Sequence, residues 1–192
     1  SDLISDLAQN KNSVFGKILS IKKESFIDEK ISPKIHSLGH RNPQGITKVK
    51  DNIFSVEHGP QGGDELNKIK LNSNYGWPKV SYGTKYLYDD LGKSYSIGHE
   101  NNGFEEPVFA FIPSIGISAL NNCPSKLTTY YNKNCLMALS LYGNDLAPGK
   151  SIIIFLLDKN LEKIHSIEKI SLDRPLRHFV TNSENEIYED SN

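Results

Sequence analysis

Short apolar runs separated by polar turns make up most of the chain. The runs are enriched in β-branched and aromatic residues, which is typical of β-strands. No stretch shows the apolar period of an amphipathic helix of useful length. The predicted strands are Val14–Ile21, Ile46–Val49, Ile53–Val56, Leu66–Leu71, Pro107–Ile112, Asn134–Leu141, Ser151–Leu157, His165–Ile170, Arg177–Val180 and Glu186–Tyr188.

Many short strands with frequent turns predict an all-β sandwich, barrel or propeller. Residues 46–56 and 177–188 share one shape, in which a polar turn joins two short strands. This internal similarity favours a β-propeller. A blade takes roughly 40–45 residues, so this length corresponds to about four blades. We therefore predict a single partial β-propeller domain over residues 1–192.

Three segments have few regular apolar positions. Lys22–Pro33 is predicted to be a charged connector, and residues 82–107, rich in Tyr, Gly, Asp and Asn, a long loop. The stretch from Gly39 to Pro78 contains mainly Gly, Pro, Asn and acidic residues around its short strands. We expect this stretch to be loop surface and not core, where it would present carbonyl oxygens, carboxylates and a guanidinium to a ligand.

Charge and hydropathy exclude several classes of function. The net charge is −1 and the pI is about 6.6, so there is no electrostatic basis for binding nucleic acid or an anionic membrane. The longest apolar run, Ser151–Leu157, is too short to cross a bilayer. No signal-peptide pattern is present, and because the chain begins at Ser1 we expect its natural start to lie upstream.

The two cysteines, Cys123 and Cys135, leave two alternatives open. They either form a disulfide or remain reduced, and two thiols alone do not define the cellular compartment. A structural role is favoured over a catalytic one, because neither cysteine has a histidine beside it in the sequence.

The dipeptide Arg41-Asn42 is the first candidate for a binding function. Arginine offers a rigid fork of donors, and asparagine adds one amide donor and one acceptor. Pro43 restricts the backbone of Asn42 to extended conformations, so the two side chains are held in direction. The pair is suited to contact an anion or a quinone. The residues themselves fit an ordinary surface turn equally well.

The segment from Glu57 to Glu65 is the second candidate. Hard divalent cations prefer carboxylate and carbonyl oxygens, and Gly59 and Pro60 turn backbone carbonyls outward. Calcium is favoured over zinc because His58 is the only soft ligand nearby. The alternative is an acidic surface loop without a metal. The single tryptophan, Trp77, is predicted to be a packed corner that supports these loops.

Three motifs together resemble the soluble pyrroloquinoline-quinone (PQQ)-dependent glucose/sorbosone, or aldose sugar, dehydrogenases. They lie at residues 39–45, 57–67 and 74–78, and the resemblance is strongest over 35–80. It implies a six-bladed β-propeller, periplasmic or secreted, that binds PQQ and calcium. It also implies that the anomeric carbon of a sugar is oxidised by hydride transfer to the calcium-bound quinone. About four of the six blades would be present, without the N-terminal ones.

The resemblance also implies roles for individual residues. Arg41 and Asn42 match the pair that contacts the quinone. The backbone carbonyls of Gly59 and Pro60 match those that hold the calcium of the cofactor. A further, structural calcium would be bound at two other matching positions, which are Glu65 and Tyr75.

The chain departs from the family pattern in three ways. The general base is a histidine well upstream of the Arg-Asn pair, so no catalytic residue is assigned here. A cofactor-contacting lysine on a later strand is absent near Ser140, Leu141 and Tyr142. Of a late Arg-x-Arg pair, which falls at residues 175–177, only Arg177 is present, and it is the third predicted cofactor contact.

These departures leave three hypotheses. The chain is part of a quinone-dependent aldose dehydrogenase that acts on a small-molecule sugar and an unidentified electron acceptor. Alternatively, it is a non-catalytic calcium-binding propeller module that binds a protein or a glycan. A truncated homologue is the third, and its open strand edges would favour association into a homo-oligomer.

Overall fold

The computed structural model describes residues 2–27, 31–86, 93–141, 149–182 and 186–190, and within these ranges all sheets are antiparallel. The strands in chain order are β1 (Lys17–Ser20), β2 (Lys34–Leu38), β3 (Pro43–Val49), β4 (Asn52–Glu57), β5 (Asp64–Ile69), β6 (Phe109–Phe111), β7 (Ile117–Asn122), β8 (Asn134–Ser140), β9 (Ser151–Leu157), β10 (Ile164–Ser171), β11 (His178–Thr181) and β12 (Ile187–Asp190).

The strands form four sheets in chain order. The first sheet contains β1 and β2, and the second has the order β3-β4-β5-β6. The third contains β7 to β10 as neighbours in sequence order, and the fourth contains β11 and β12. Successive meanders of this kind, packed face to face, are the blades of a β-propeller. The predicted fold class is therefore confirmed, with two complete four-stranded blades between two two-stranded sheets.

The second and third sheets share one apolar core. Phe54 and Leu66 from the second sheet pack against Leu136 and Phe155 from the third, and all four side chains are fully buried. Strand β3 lies against β7, where Gly45 is so close to the backbone of β7 that a Cβ would overlap it. Only glycine permits this approach between the two sheets.

The third sheet is buried on its other face as well. Met137 and Leu139 of β8 and Ile154 of β9 belong to a second core, which they share with Phe179 of β11. Alternate residues of one strand therefore enter two different cores, as the two-residue period of a strand requires. This explains why residues 152–157 of β9 are apolar without interruption: both faces of the strand are covered.

Helices are few and short in the described part of the chain. Three 3₁₀ helices span Asp2–Ala8, Lys23–Phe26 and Glu100–Asn102, and helix α1 spans Ser125–Tyr131. The sequence pattern did not predict α1, whose seven residues lack an apolar stripe of useful length. Among the described residues no helix is long and apolar enough to cross a membrane.

Most strand predictions are confirmed. The structure places a strand within or across every predicted run, and the bounds of β9 agree at both ends. The hairpin predicted at residues 46–56 is the β3–β4 pair, and the one at 177–188 is the β11–β12 pair. Strands β2 and β7 were not predicted, since their sequences mix polar and apolar residues without a clear period.

The irregular segments are confirmed where the structure describes them. Residues 82–86 and 93–107 contain isolated bridges and one 3₁₀ turn but no strand of the four sheets. Residues 28–30 of the predicted connector, residues 87–92 of the predicted loop and Tyr142 lie outside the described residues.

The expectation that Gly39 to Pro78 is loop surface and not core is wrong. His40, Glu57, Asp64 and Asn67 are all buried in this stretch, and Asp64–Ile69 is an internal strand of the second sheet. The reason is that each of these polar groups has a partner: Glu57 contacts His40 and Asn67, and Asp64 accepts backbone N–H groups. Polar groups with hydrogen-bond partners can be buried.

A disulfide joins Cys123 to Cys135, which decides between the two alternatives that the sequence left open. Cys123 follows β7 and Cys135 lies in β8, so the bridge closes the segment that contains α1. Both residues are buried in the second core. The cysteines are structural, as the absence of neighbouring histidines indicated.

We expect replacement of both cysteines by serine to lower the free energy of unfolding by about 3 kcal/mol, because the short closed loop no longer restricts the unfolded chain. Urea denaturation monitored by circular dichroism measures this loss. Reductant should lower the midpoint of the natural protein and leave that of the double variant unchanged. An unchanged midpoint in the reduced natural protein would contradict the prediction.

Candidate functional site

Four of the predicted site residues line one small hollow beside the second sheet. They are Arg41, Gly59, Glu65 and Tyr75, which come from all three sequence motifs. The hollow has a volume of about 10 Å³, and a space of this size accommodates roughly one water molecule or one ion. Its lining also includes Glu57, His58, Trp77 and His99.

The remaining predicted residues do not line the hollow. The carbonyl of Asn42 accepts the backbone N–H of His58 at 3.1 Å, so Asn42 lies directly behind the lining. Pro60 is buried next to Gly59. Arg177 precedes β11, its side chain is exposed, and it is not among the residues that line the hollow.

The orientation of Arg41 is fixed by contacts of its backbone and of its guanidinium. Its backbone N–H donates to Oε2 of Glu57 at 2.9 Å, and its Nη1 donates to the carbonyl of His58 at 3.2 Å. The guanidinium carbon lies 5.2 Å from the ring centre of Trp77, within the range of a cation–π contact. Trp77 is 5% exposed, so the prediction that it is a packed corner is confirmed.

Glu57 is the centre of a buried polar cluster. Besides the N–H of Arg41, it accepts Nδ2 of Asn67 at 2.9 Å and lies 3.4 Å from Nδ1 of His40. His40 contacts Oγ of Ser37 at 2.8 Å and stacks on the ring of Tyr75 at 4.5 Å. The cluster therefore ties the Arg41 segment to the neighbouring strands.

The loop at Gly59 is fixed by close backbone contacts. Its N–H donates to Oδ1 of Asp64 at 3.2 Å, and a Cβ at residue 59 would overlap the carbonyl oxygens of Gly62 and Gly63. Gly62 and Gly63 have φ values of 94° and 71°, which favour glycine. Carbonyl oxygens thus gather around Gly59, where no larger residue fits.

Glu65 is a buried carboxylate that lacks a strong cationic partner. It accepts Nδ2 of Asn67 at 3.1 Å, and Nε2 of His99 lies 3.6 Å away. Neither lysine nor arginine pairs with it in the described part of the chain. Burial first, and then the neighbouring charge of Glu57, raises the pKa of Glu65 well above its usual value, while burial lowers the pKa of His99.

Three buried polar atoms near this carboxylate have no hydrogen-bond partner among the described residues. They are Nε2 of His58, Nδ1 of His99 and Oδ1 of Asn67. Buried polar atoms nearly always have a partner, so their number here indicates a bound ion or water. The described residues contain no group of three or more His, Cys, Asp or Glu side chains arranged for a metal. A cation at this site would therefore need backbone carbonyl oxygens.

The Tyr75 hydroxyl is already engaged. It donates to the carbonyl of Lys68 at 2.5 Å and accepts the N–H of Lys70 at 2.9 Å. Burial raises the pKa of Tyr75 above its ordinary value, so the phenol is neutral. The ring position, stacked on His40, is thus fixed by strand β5 and by the segment that follows it.

Comparison with known proteins assigns the chain to a family. The pattern of the Glucose / Sorbosone dehydrogenase family matches residues 2–188, which is nearly the whole chain. The chain belongs to this family.

Individual relatives agree with this assignment. The chain is 32% identical over 123 residues to aldose sugar dehydrogenase YliI of Escherichia coli (strain K12), which is 59% of this chain and 33% of that protein. It is 37% identical over 92 residues to quinoprotein glucose dehydrogenase B of Acinetobacter calcoaceticus, or 44% of this chain and 18% of that protein. A crystal structure of glucose dehydrogenase superposes with a TM-score of 0.76 and 26% identity over 96% of this chain.

The chain spans only part of these relatives. It covers 54% of the superposed glucose dehydrogenase chain, and the matched segments cover a third or less of the two curated relatives named above. The relatives therefore contain blades that have no counterpart in the residues compared.

Sequence reasoning missed the residues that support the site, above all Glu57, His40 and Asn67. The signal for Glu57 and Asn67 appears only once the strand register is known. In the β4–β5 pairing Glu57 lies opposite Glu65, and Ser55 lies opposite Asn67. Two like charges directly opposite each other are unfavourable, so such a pair predicts a bridging donor or a cation.

We expect the stability of the cation-free protein to fall as pH rises from the unfolded pKa of Glu65, near 4.5, through its raised folded pKa. Within this window the folded state retains a proton that the unfolded state has lost, so higher pH favours unfolding. Replacing Glu65 by Gln should remove this part of the pH dependence. Thermal unfolding in chelator at pH 5 and pH 8 measures the difference for both proteins. Equal slopes in the two proteins would contradict the assignment of the shift to Glu65.

Proposed function

We propose that this chain is part of a PQQ-dependent aldose dehydrogenase, which oxidises the anomeric carbon of a sugar by hydride transfer to a calcium-bound quinone. The catalytic base would lie outside this chain. The observation that supports the proposal is the convergence of three sequence motifs, through Arg41, Gly59, Glu65 and Tyr75, on one hollow. Membership of the Glucose / Sorbosone dehydrogenase family supports the same reaction class.

Calcium fits the residues present. The carbonyls of Gly59 and Pro60 would hold the calcium of the cofactor, and Glu65 together with Tyr75 would bind a structural calcium. The buried Glu65 carboxylate lacks a lysine or arginine partner, and the hollow is ion-sized. Oxygen donors of this kind suit a hard divalent cation. Because the Tyr75 hydroxyl is already bonded to the backbone, its ring would mainly fix the geometry.

This chain would contact the quinone on one side only. Arg41 and Asn42 would contact it, with the guanidinium held over Trp77 so that it faces an anionic group of the ligand. When bound, the calcium–quinone pair supplies the hydride acceptor and the Lewis acid. In this proposal, Arg41 and Asn42 orient the cofactor, and the positive charge of Arg41 lies next to it. The role of Arg177 as a third contact stays a prediction, since its exposed side chain does not line the hollow.

The proposed function also implies a compartment, reaction partners and an assembly state. The Cys123–Cys135 disulfide favours an oxidising compartment, in agreement with a periplasmic or secreted protein. The partners would be a small-molecule sugar and an electron acceptor of unidentified type. We propose that residues 1–192 form one partial propeller domain, whose open strand edges would favour a homo-oligomer in the absence of further blades.

We expect replacement of Arg41 by Ala in the longest natural form of the protein to weaken PQQ binding about tenfold or more, since a charge-assisted hydrogen bond contributes roughly 1.5–3 kcal/mol. Aldose oxidation with a dye acceptor, measured against PQQ concentration in the presence of calcium, gives the change. Arg174→Ala, an exposed arginine outside the hollow, is the matched control. Absence of any PQQ-dependent turnover in the natural protein would refute the proposed reaction.

We expect Gly59→Ala to weaken calcium binding, because the added methyl overlaps the Gly62 and Gly63 carbonyls and displaces the loop. Gly103→Ala is the matched control: its φ of 79° makes alanine unfavourable by about 1–2 kcal/mol, but no atom lies within 4 Å of the new Cβ. Both variants should be less stable without calcium. Calcium should restore stability to Gly103→Ala and not to Gly59→Ala. An equal calcium response in the two would contradict a site at Gly59.

One set of observations favours the second candidate function, a non-catalytic calcium-binding module. Arg177 does not line the hollow, and Ser140 and Leu141 stand where the family lysine is expected. The hollow itself is the size of an ion. Calcium-dependent stabilisation of the natural protein without any effect of PQQ would favour this function over the dehydrogenase.

A further inference from the structure

Glu57 lines the hollow, but the proposed function gives it no role in binding the quinone or the calcium. It is the last residue of β4, is 4% exposed, and is not one of the residues that the family motifs assign to cofactor or metal. Its two carboxylate oxygens face opposite partners. Oε2 accepts the N–H of Arg41 at 2.9 Å, and Oε1 accepts Nδ2 of Asn67 at 2.9 Å.

The second partner leads to the proposed calcium ligand. The same Nδ2 of Asn67 also donates to Oε2 of Glu65 at 3.1 Å, so one amide nitrogen bridges two buried carboxylates. These carboxylates lie directly opposite each other in the β4–β5 register, where their charges repel. The amide relieves this repulsion only in part, because it carries no net charge. Its other polar atom, Oδ1, has no partner among the described residues.

The first partner leads to the proposed quinone contact. With its backbone N–H held by Glu57, Arg41 extends its guanidinium to the carbonyl of His58 and over Trp77. Removing the acceptor would leave the Arg41 N–H without this bond and release the segment that aims the guanidinium. A continuous set of contacts thus runs from Glu65 through Asn67 and Glu57 to Arg41.

We propose that Glu57 is a positioning residue that holds Arg41 toward the quinone and, through Asn67, couples this orientation to a cation bound at Glu65. A cation at Glu65 neutralises one of two repelling carboxylates, which strengthens the hold of Asn67 and Arg41 on the other. The coupling to quinone rests on the proposed function. The contacts between Glu57, Asn67 and Arg41 do not.

The single tryptophan provides a readout that needs no quinone. Because the Arg41 guanidinium lies over the Trp77 ring, emission and near-ultraviolet circular dichroism of this residue report the Arg41 position. In Glu57→Gln the new amide cannot accept both the Arg41 N–H and the Asn67 amide. We expect the Trp77 spectrum of this variant to differ from that of the natural protein without any cation.

Asn67→Ala separates the two halves of the proposal. It keeps the bond between Glu57 and Arg41 and removes the bridge to Glu65. We expect its cation-free Trp77 spectrum to resemble that of the natural protein, but the change that calcium produces in the natural protein to be lost. Ser55→Ala is the control for destabilisation. Ser55 lies on the same strand as Glu57, and the substitution removes its hydrogen bond to the carbonyl of Gly45. Its Trp77 spectrum and calcium response should be unchanged.

Quinone titrations test the coupling itself. We expect calcium to tighten PQQ binding to the natural protein by about fivefold or more and to have no such effect in Glu57→Gln or Asn67→Ala.

An unchanged Trp77 spectrum in folded Glu57→Gln would overturn the positioning role. If Glu57→Gln does not fold, Asn67→Ala decides, and a full calcium response in that variant overturns the coupling. Failure of PQQ to bind the natural protein would refute the proposed function while leaving the Trp77 results as the test of positioning.

Discussion

The carboxylate of Asp64 holds the two complete sheets and the glycine loop in one arrangement. It lies at the start of β5 in the second sheet, and its Oδ2 accepts the backbone N–H groups of Ile115 and Ile117 at 3.1 and 3.0 Å, where the third sheet begins. Its Oδ1 accepts the Ser114 hydroxyl and the Gly59 N–H. Charge-assisted bonds of this kind are stronger than neutral ones, so a single buried side chain fixes the position of the loop relative to both blades.

The candidate site arises because two further acids, Glu57 and Glu65, are buried beside the contact that Asp64 makes between the two sheets. Asp64 is satisfied by four donors, whereas Glu57 and Glu65 face each other and share one amide. A buried carboxylate without a cationic partner is unfavourable, and the raised pKa of Glu65 expresses that cost. The surrounding fold tolerates it because the apolar cores on both faces of the third sheet supply stability elsewhere. This cost is the physical basis for proposing a cation at Glu65.

The chain corresponds to about half of the glucose dehydrogenase chain on which it superposes. The residues present supply the arginine, the glycine loop and the buried acids on one side of the hollow. In the proposed reaction the catalytic base would lie outside this chain. The chain would contribute cofactor orientation and cation binding, and the coupling of those two tasks through Glu57 would be complete within it.

The sequence by itself determined the strands whose hydrogen bonds and apolar residues are local, such as β9 and the β3–β4 hairpin. It also determined which residue types could contact a cation or an anion, because chemistry at Arg41, Gly59 and Glu65 follows from the side chain or its absence. Only the tertiary structure decided that the polar stretch from Gly39 to Pro78 is partly core and that Arg177 does not line the hollow. Burial of Glu57 and Asn67 depends on partners that are distant in sequence and become neighbours only through strand register. No local pattern encodes that register, since it is set by the packing of whole sheets against each other.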